Sequence, residues 1–219
     1  MKKRSGSLNN EKTLLVVTDY PSDIYSERVL TYLAKKQHVL VLAQKNTEAR
    51  PEDLEQRRLR VRNVWTHGNN LSILKIFSYI FRYSRVHNVL FQLEHGTFGG
   101  SLPLLLLPFM LFVLKGLGKY TYVEIHKFDF NDPLTLWFYK SIGKAAGKII
   151  ILDKRYKKRL MHYIAEEKIA VLPMVILKRE RLPRRKSFKL SLRQIMKVYG
   201  NTVSKSYHLP PSDLALNVK

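Results

Sequence analysis

From Thr13 to Leu172, short apolar runs rich in β-branched residues alternate with longer stretches of helical period. Thr13–Thr18 reads as a buried strand, Asp19–Ser22 as a loop, Ile24–Lys36 as a helix and His38–Ala43 as a second strand. Residues 44–58 are polar and contain Pro51, which predicts a loop with room for one short helix. Leu59–Trp65 alternates as a strand does, and His67-Gly68-Asn69-Asn70 then forms a turn, with Asn70 as the expected N-cap. The helix that follows is predicted over Leu71–Arg85, with Lys75, Ser78, Arg82 and Arg85 on one narrow polar face. The alternation continues through a strand at His87–Leu93, an apolar helix opened by Gly99-Gly100 and a strand at Tyr120–Ile125. Asp132-Pro133 has the N-cap and N1 chemistry of a helix start, and that helix is predicted to run to about Lys144. Lys148–Leu152 is a further strand, Asp153 caps another helix, and Lys168–Leu172 is a last strand stopped by Pro173. Strands separated by helices of this length predict an α/β fold: a doubly wound, mostly parallel, Rossmann-like sheet of about seven strands with helices on both faces.

One segment calls for a membrane argument. Gly96–Leu114 carries no charged side chain, yet its apolar part, Leu102–Leu114, is 13 residues long, whereas a spanning helix needs about 20. With Pro103 in the first turn and Pro108 bending the middle, it reads as a buried helix. The basic N-terminus has only a short apolar run, Leu14–Val17, before Asp19, too short for a signal-peptide core. The folded unit is expected over residues 13–177, after a basic extension at 1–12. Residues 178–219 hold 11 Lys+Arg against 2 Asp+Glu and lack strand–helix alternation. They read as a basic, poorly ordered tail or a single amphipathic helix.

Charge narrows the partners. With 39 Lys+Arg against 17 Asp+Glu, the 219-residue chain carries +22 and calls for an anionic partner: phosphate-bearing substrates, an acidic membrane surface or nucleic acid. No cysteine is present, which excludes a disulfide scaffold, a thiol nucleophile and Cys-ligated metal.

An open parallel sheet binds ligands at the carboxyl ends of its strands. That rule selects Asp19, Tyr20 and Ser22 after the first strand, Glu94, His95 and the glycines Gly99 and Gly100 after the fourth, His126 after the fifth and Asp153 after the sixth. The first loop has no G-x-G-x-x-G, no G-x-x-x-x-G-K-[ST] occurs anywhere, and no G-x-S-x-G elbow is present. NAD-dependent dehydrogenase, P-loop NTPase and α/β-hydrolase readings are disfavoured accordingly. No His/Asp/Glu spacing suggests a metal site.

His126, at a strand end, reads either as a general base or hydrogen-bonding group for a sugar or phosphate, or as a hydrogen-bonded structural histidine. Glu94-His95 beside Gly99-Gly100 reads either as an anion-binding corner at a helix start or as a turn whose glycines serve geometry. Lys154, Arg155, Lys157, Lys158 and Arg159 open a helix against its dipole, as a patch for acidic lipid or phosphate or as a solvated face. Tyr79, Phe81 and Tyr83 are expected to pack in the core rather than stack on bases.

Taken in order, TLLVVTDYPSDIYSERVLTYLAKKQHVLVLA, FQLEHGTFGG with its apolar helix, TYVEIH, and GKIIILDKRYKKRL followed by KIAVLPM resemble the N-terminal half of a GT-B glycosyltransferase of the retaining family 4 type. The resemblance covers roughly residues 13–174. It implies an acceptor-binding domain of a hexosyltransferase acting on a saccharide or lipid-linked acceptor, such as a precursor of cell-envelope polysaccharide. A nucleotide-sugar is then the donor substrate, and no tightly bound cofactor or metal is required. By the same resemblance, His126 is the active-site histidine of the sugar pocket. Asp19, Tyr20 and Ser22 meet donor phosphates or acceptor, and Glu94 and His95 line the acceptor side. A cytoplasmic protein, peripheral at the inner face of the membrane, is implied.

Two departures stand out. The first loop has Ser22-Asp23-Ile24-Tyr25-Ser26 where the family usually carries a Gly-Gly pair. Nothing after residue 177 supplies an acidic E-x7-E pair or a second βαβ series. The expectation is a fragment, a frameshifted gene product or one subunit of a split enzyme with a separate donor-binding subunit, inactive alone. A basic binding module for nucleic acid or anionic membrane is the alternative. No nucleic-acid motif supports the first of these, and nucleic acid is not the expected partner.

Overall fold

A computed structural model describes residues 13–18, 24–45, 58–66, 69, 71–83, 86–93, 101–126, 128 and 132–172. The elements run β1 (Thr13–Val17), α1 (Ile24–Lys36), β2 (His38–Gln44), β3 (Leu59–Trp65), α2 (Ser72–Arg82), β4 (Asn88–Leu93), α3 (Ser101–Gly116), β5 (Tyr120–Ile125), α4 (Pro133–Ala145), β6 (Lys148–Ile151), α5 (Arg155–Leu160), a 3-10 turn (Glu166–Lys168) and β7 (Ile169–Val171). The seven strands form one sheet in the order β3-β2-β1-β4-β5-β6-β7, and every pairing is parallel. The chain is therefore a Rossmann-like α/β fold, all parallel where the sequence predicted mostly parallel. Successive connections reverse direction between β1 and β4, the position at which such sheets open a crevice.

Alternation along each strand assigns its side chains to one of two layers. Leu14, Val16, Val39, Val41, Leu90, Tyr122 and Ile150 pack with Val29, Leu30 and Leu33 of α1 on one face. Leu15, Val17, Leu40, Phe91, Val123 and Ile149 pack on the other face with α2, α3 and α4, through side chains such as Ile73, Phe77, Leu111 and Ile142. Burial on both sides explains the apolar run of β1 and of Val89–Phe91 at the centre of β4. Phe77 of α2 stacks on Phe91 of β4, with ring centroids 6.1 Å apart.

Local chemistry sets the helix ends. Asp132 caps α4, accepting from the N–H of Thr135 at 2.8 Å and of Leu134 at 3.3 Å, with Pro133 in the first turn. At the other end, the Lys168 ammonium donates to the carbonyls of Gly143 at 2.8 Å, Ala146 at 3.2 Å and Lys144 at 3.3 Å. A cation thus satisfies the orphan acceptors of α4.

Three expectations need correction. The cap position of α2 falls on Leu71, which makes no side-chain cap bond. Asn70 lies outside the described residues, and it is Asn69 whose Oδ1 accepts from the Leu71 N–H at 2.9 Å. The apolar segment in α3 is buried on one side only: Leu107, Leu111 and Leu114 are fully covered, while Leu105, Phe109 and Phe112 are exposed. A helix in an outer layer has a solvent side whatever its composition, and this sequence carries no polar stripe to mark it. Phe81 is exposed for the same reason, whereas Tyr79 and Tyr83 pack against the core as expected. No helix among the described residues is long and apolar enough to cross a membrane.

Candidate functional site

β4 and β5 are hydrogen-bonded neighbours with Gln92 opposite Glu124 and Leu93 opposite Ile125. On β1, Thr18 stands one position beyond the Val17–Phe91 pair, so Thr18, Gln92 and Glu124 lie in one row across three adjacent strands. All three are buried, at 2%, 2% and 0% exposure. Row neighbours share a face, and that face is the one packed by α1. A buried polar row thus crosses three adjacent strands at the carboxyl end of the sheet, where burial demands partners for each group.

His126 completes the group. Its backbone N–H donates to the Leu93 carbonyl at 3.2 Å, extending the β4–β5 ladder by one step. Two residues after Glu124, its side chain returns to the same carboxylate: Nε2 lies 2.9 Å from Glu124 Oε1. The other carboxylate oxygen accepts from Gln92 Nε2 at 3.4 Å. Gln92 Oε1 has no hydrogen-bond partner among the described residues, which leaves a buried acceptor on the far side of the same carboxylate. A carboxylate oxygen accepts, so in this contact Nε2 carries the hydrogen and the ring is held in one orientation. The imidazole is 9% exposed at the sheet edge, while the carboxylate that orients it is fully enclosed. Below them on the same strand face, burial pushes the Tyr122 phenol far above its usual range and raises that of Tyr120, so both stay neutral.

Asp19, Tyr20, Ser22, Glu94, His95, Gly99 and Gly100 lie outside the described residues. The strands they follow, β1 and β4, are neighbours. Among the described sequence candidates, His126 joins a polar group with an enclosed carboxylate. Glu124, Gln92 and Thr18 were not selected from the sequence. The signal was the two-residue period: a carboxylate two positions before a strand-end histidine shares its face, and in a doubly covered strand it needs a partner.

The basic segment is less free than its composition suggests. Arg155 is held by Asp153, with Nη2 at 2.6 Å and Nε at 2.8 Å from Oδ2. Hydrogen bonds from the Arg155 side chain hold the Asp153 carboxyl below its usual range. Asp153 Oδ1 also accepts from the Arg155 N–H at 2.9 Å, which fulfils the predicted capping role one residue ahead of the formal cap, Lys154. Lys157 donates to Glu166 at 2.6 Å. Lys154, Lys158 and Arg159 are exposed. Among the described residues no group of three or more His, Asp or Glu side chains is placed to hold a metal ion.

No protein-family model matches this chain, and a search of curated proteins returns no match either.

Proposed function

We propose that the chain is the acceptor-binding half of a GT-B glycosyltransferase, accepting a saccharide or lipid-linked saccharide at the carboxyl edge of the sheet. The observation that carries this reading is the Glu124–His126 pair, an oriented imidazole at the end of β5. It stands one strand from the β1–β4 reversal where ligands enter parallel sheets. The resemblance of TYVEIH and its neighbouring motifs to retaining family 4 transferases supplies the reaction class.

In this reading His126 hydrogen-bonds a sugar hydroxyl, Glu124 holds the ring in one orientation, and Gln92 bonds the other oxygen of that carboxylate. By the resemblance, Asp19, Tyr20, Ser22, Glu94 and His95, which follow the neighbouring strands β1 and β4 in sequence, meet the substrate. Transfer from a nucleotide-sugar also needs a donor-binding domain, so the sheet formed by residues 13–172 by itself binds acceptor without turning over donor. The protein works from the cytoplasmic side, peripheral to an anionic membrane.

Calorimetric titration with a short-chain prenyl diphosphate carrying N-acetylglucosamine, and then other hexoses, tests the proposal. Saturable binding that weakens at least about tenfold in His126→Ala is expected. Binding indifferent to that substitution, or sugar-nucleotide turnover by the 219-residue chain, contradicts it.

A further inference from the structure

The helices α2, α3 and α4 pack side by side on one face of the sheet, and their outward sides are unusually apolar. Leu74 and Phe81 of α2, Leu105, Phe109 and Phe112 of α3 and Trp137 of α4 are between 36% and 64% exposed. On α3 the three recur at i, i+4 and i+7, opposite the buried Leu107, Leu111 and Leu114, so they form one stripe along the helix. Single exposed apolar residues are ordinary, but three neighbouring helices presenting them on one layer face are not.

The side-chain charges on the three helices themselves have one sign, with the Asp132 carboxylate held at the cap of α4 by Thr135. Lys75, Arg82, Lys115, Lys140 and Lys144 are exposed on the same three helices. Residues 71–83, 101–119 and 133–148 contain no Asp or Glu. A soluble surface normally mixes both signs. An apolar stripe among lysines and arginines, on helices that carry no carboxylate of their own, has the chemistry of a surface that seats its rings at the acyl boundary and its cations among anionic headgroups. Docking a second copy here would bring two all-cationic layers together in chains that each carry +22.

We propose that the outer face of α2, α3 and α4 is the docking surface for an anionic lipid bilayer. The basic segment Lys154–Arg159 is not its centre, since Arg155 and Lys157 there are ion-paired. The face also has a useful position. Leu105 lies five residues into α3 and Trp137 five residues into α4, close to the sheet's carboxyl edge where β5 delivers His126. Resting on the acceptor reading above, this would bring lipid headgroups beside the edge at which a lipid-linked saccharide must arrive. The docking itself does not depend on that reading.

The two tryptophans give a position-specific test, because Trp65 is fully buried and Trp137 is 49% exposed. The full chain is mixed with vesicles of phosphatidylcholine alone or with added phosphatidylglycerol. Binding is expected to the anionic vesicles only, with a blue shift of Trp137 emission and quenching by brominated acyl chains that disappears in Trp137→Phe. Phe109→Ser with Phe112→Ser, and separately Lys140→Glu with Lys144→Glu, should each lower partitioning at least about tenfold while leaving the circular dichroism unchanged. Absence of vesicle binding overturns the proposal, as does binding without Trp137 quenching or binding that both variants retain. A concentration-dependent dimer, lost in the Phe109/Phe112 variant, would assign the face to a second copy and overturn it equally. These vesicles carry no saccharide, so a negative result leaves the His126 site untouched.

Discussion

Glu124 and His126 face the same side of β5, and the enclosed carboxylate of the first lies 2.9 Å from Nε2 of the second. A strand supplies this contact without further support, because residues two apart share a face. A pair in which one member is wholly buried and the other reaches the sheet edge is built to hold an imidazole in one orientation. Glu124→Gln keeps the shape but offers an amide in place of a carboxylate, so it no longer fixes the proton on Nε2. Nitrogen-15 spectra of the imidazole should show a single Nε2–H tautomer in the parent and a mixed or Nδ1–H population in the variant. An unchanged tautomer would mean that Glu124 only fills space.

Gly143 of α4 lies against Ile164, and a Cβ at this glycine would sit 2.6 Å from Ile164 Cγ1. Alanine normally favours a helix over glycine by about 1 kcal/mol. Here the overlap, with a cost of about 1–3 kcal/mol, should win and make Gly143→Ala destabilising. Denaturant unfolding of Gly143→Ala, Ile164→Ala and the double variant should give a positive coupling, with the double variant more stable than the sum of the single effects predicts.

Lys168 ties β7 to the end of α4 through three carbonyls. Burial lowers its pKa, the charge of Lys115 adding to that effect, yet the ammonium is retained for its acceptors. Lys168→Met keeps the stem and removes the donors. A loss of about 1–2 kcal/mol in unfolding free energy is expected, and Lys168→Arg should recover part of it.

Asp132 carries a pH signature. Hydrogen bonds from the Thr135 hydroxyl and N–H hold its carboxyl below the usual 3.8. The unfolded chain therefore takes up this proton first, and the cap's contribution is complete above about pH 3.8 and lost as pH falls through the lower folded value. The difference in thermal midpoint between parent and Asp132→Ala should shrink on acidification through this window. A constant difference would contradict the capping assignment.

The sequence was most legible where local chemistry and the two covalent periodicities agree. β3, β5 and α1 fall on their expected limits, and Asp132-Pro133 begins α4 as read. Two kinds of feature were not legible. The exposed side of α3 could not be told from its buried side, because both are written in leucine and phenylalanine and only the sheet decides which faces inward. The polar row was equally hidden, since Thr18 and Glu124 are 106 positions apart, with Gln92 between them, and the three meet only through strand order. His126 was visible because a strand end is a sequence property, whereas its carboxylate partner stood inside an apolar strand.

The most direct test of the account is to observe the His126 imidazole by nitrogen-15 NMR while a short-chain prenyl diphosphate carrying a hexose is titrated into the protein. The acceptor reading predicts saturable shifts at His126, with the Nε2–H tautomer retained, and no hydrolysis or transfer when UDP-glucose is added without a donor-binding domain. A silent imidazole across the hexose series, together with tight and steeply salt-dependent binding of duplex DNA, would contradict it and identify a basic nucleic-acid-binding module instead.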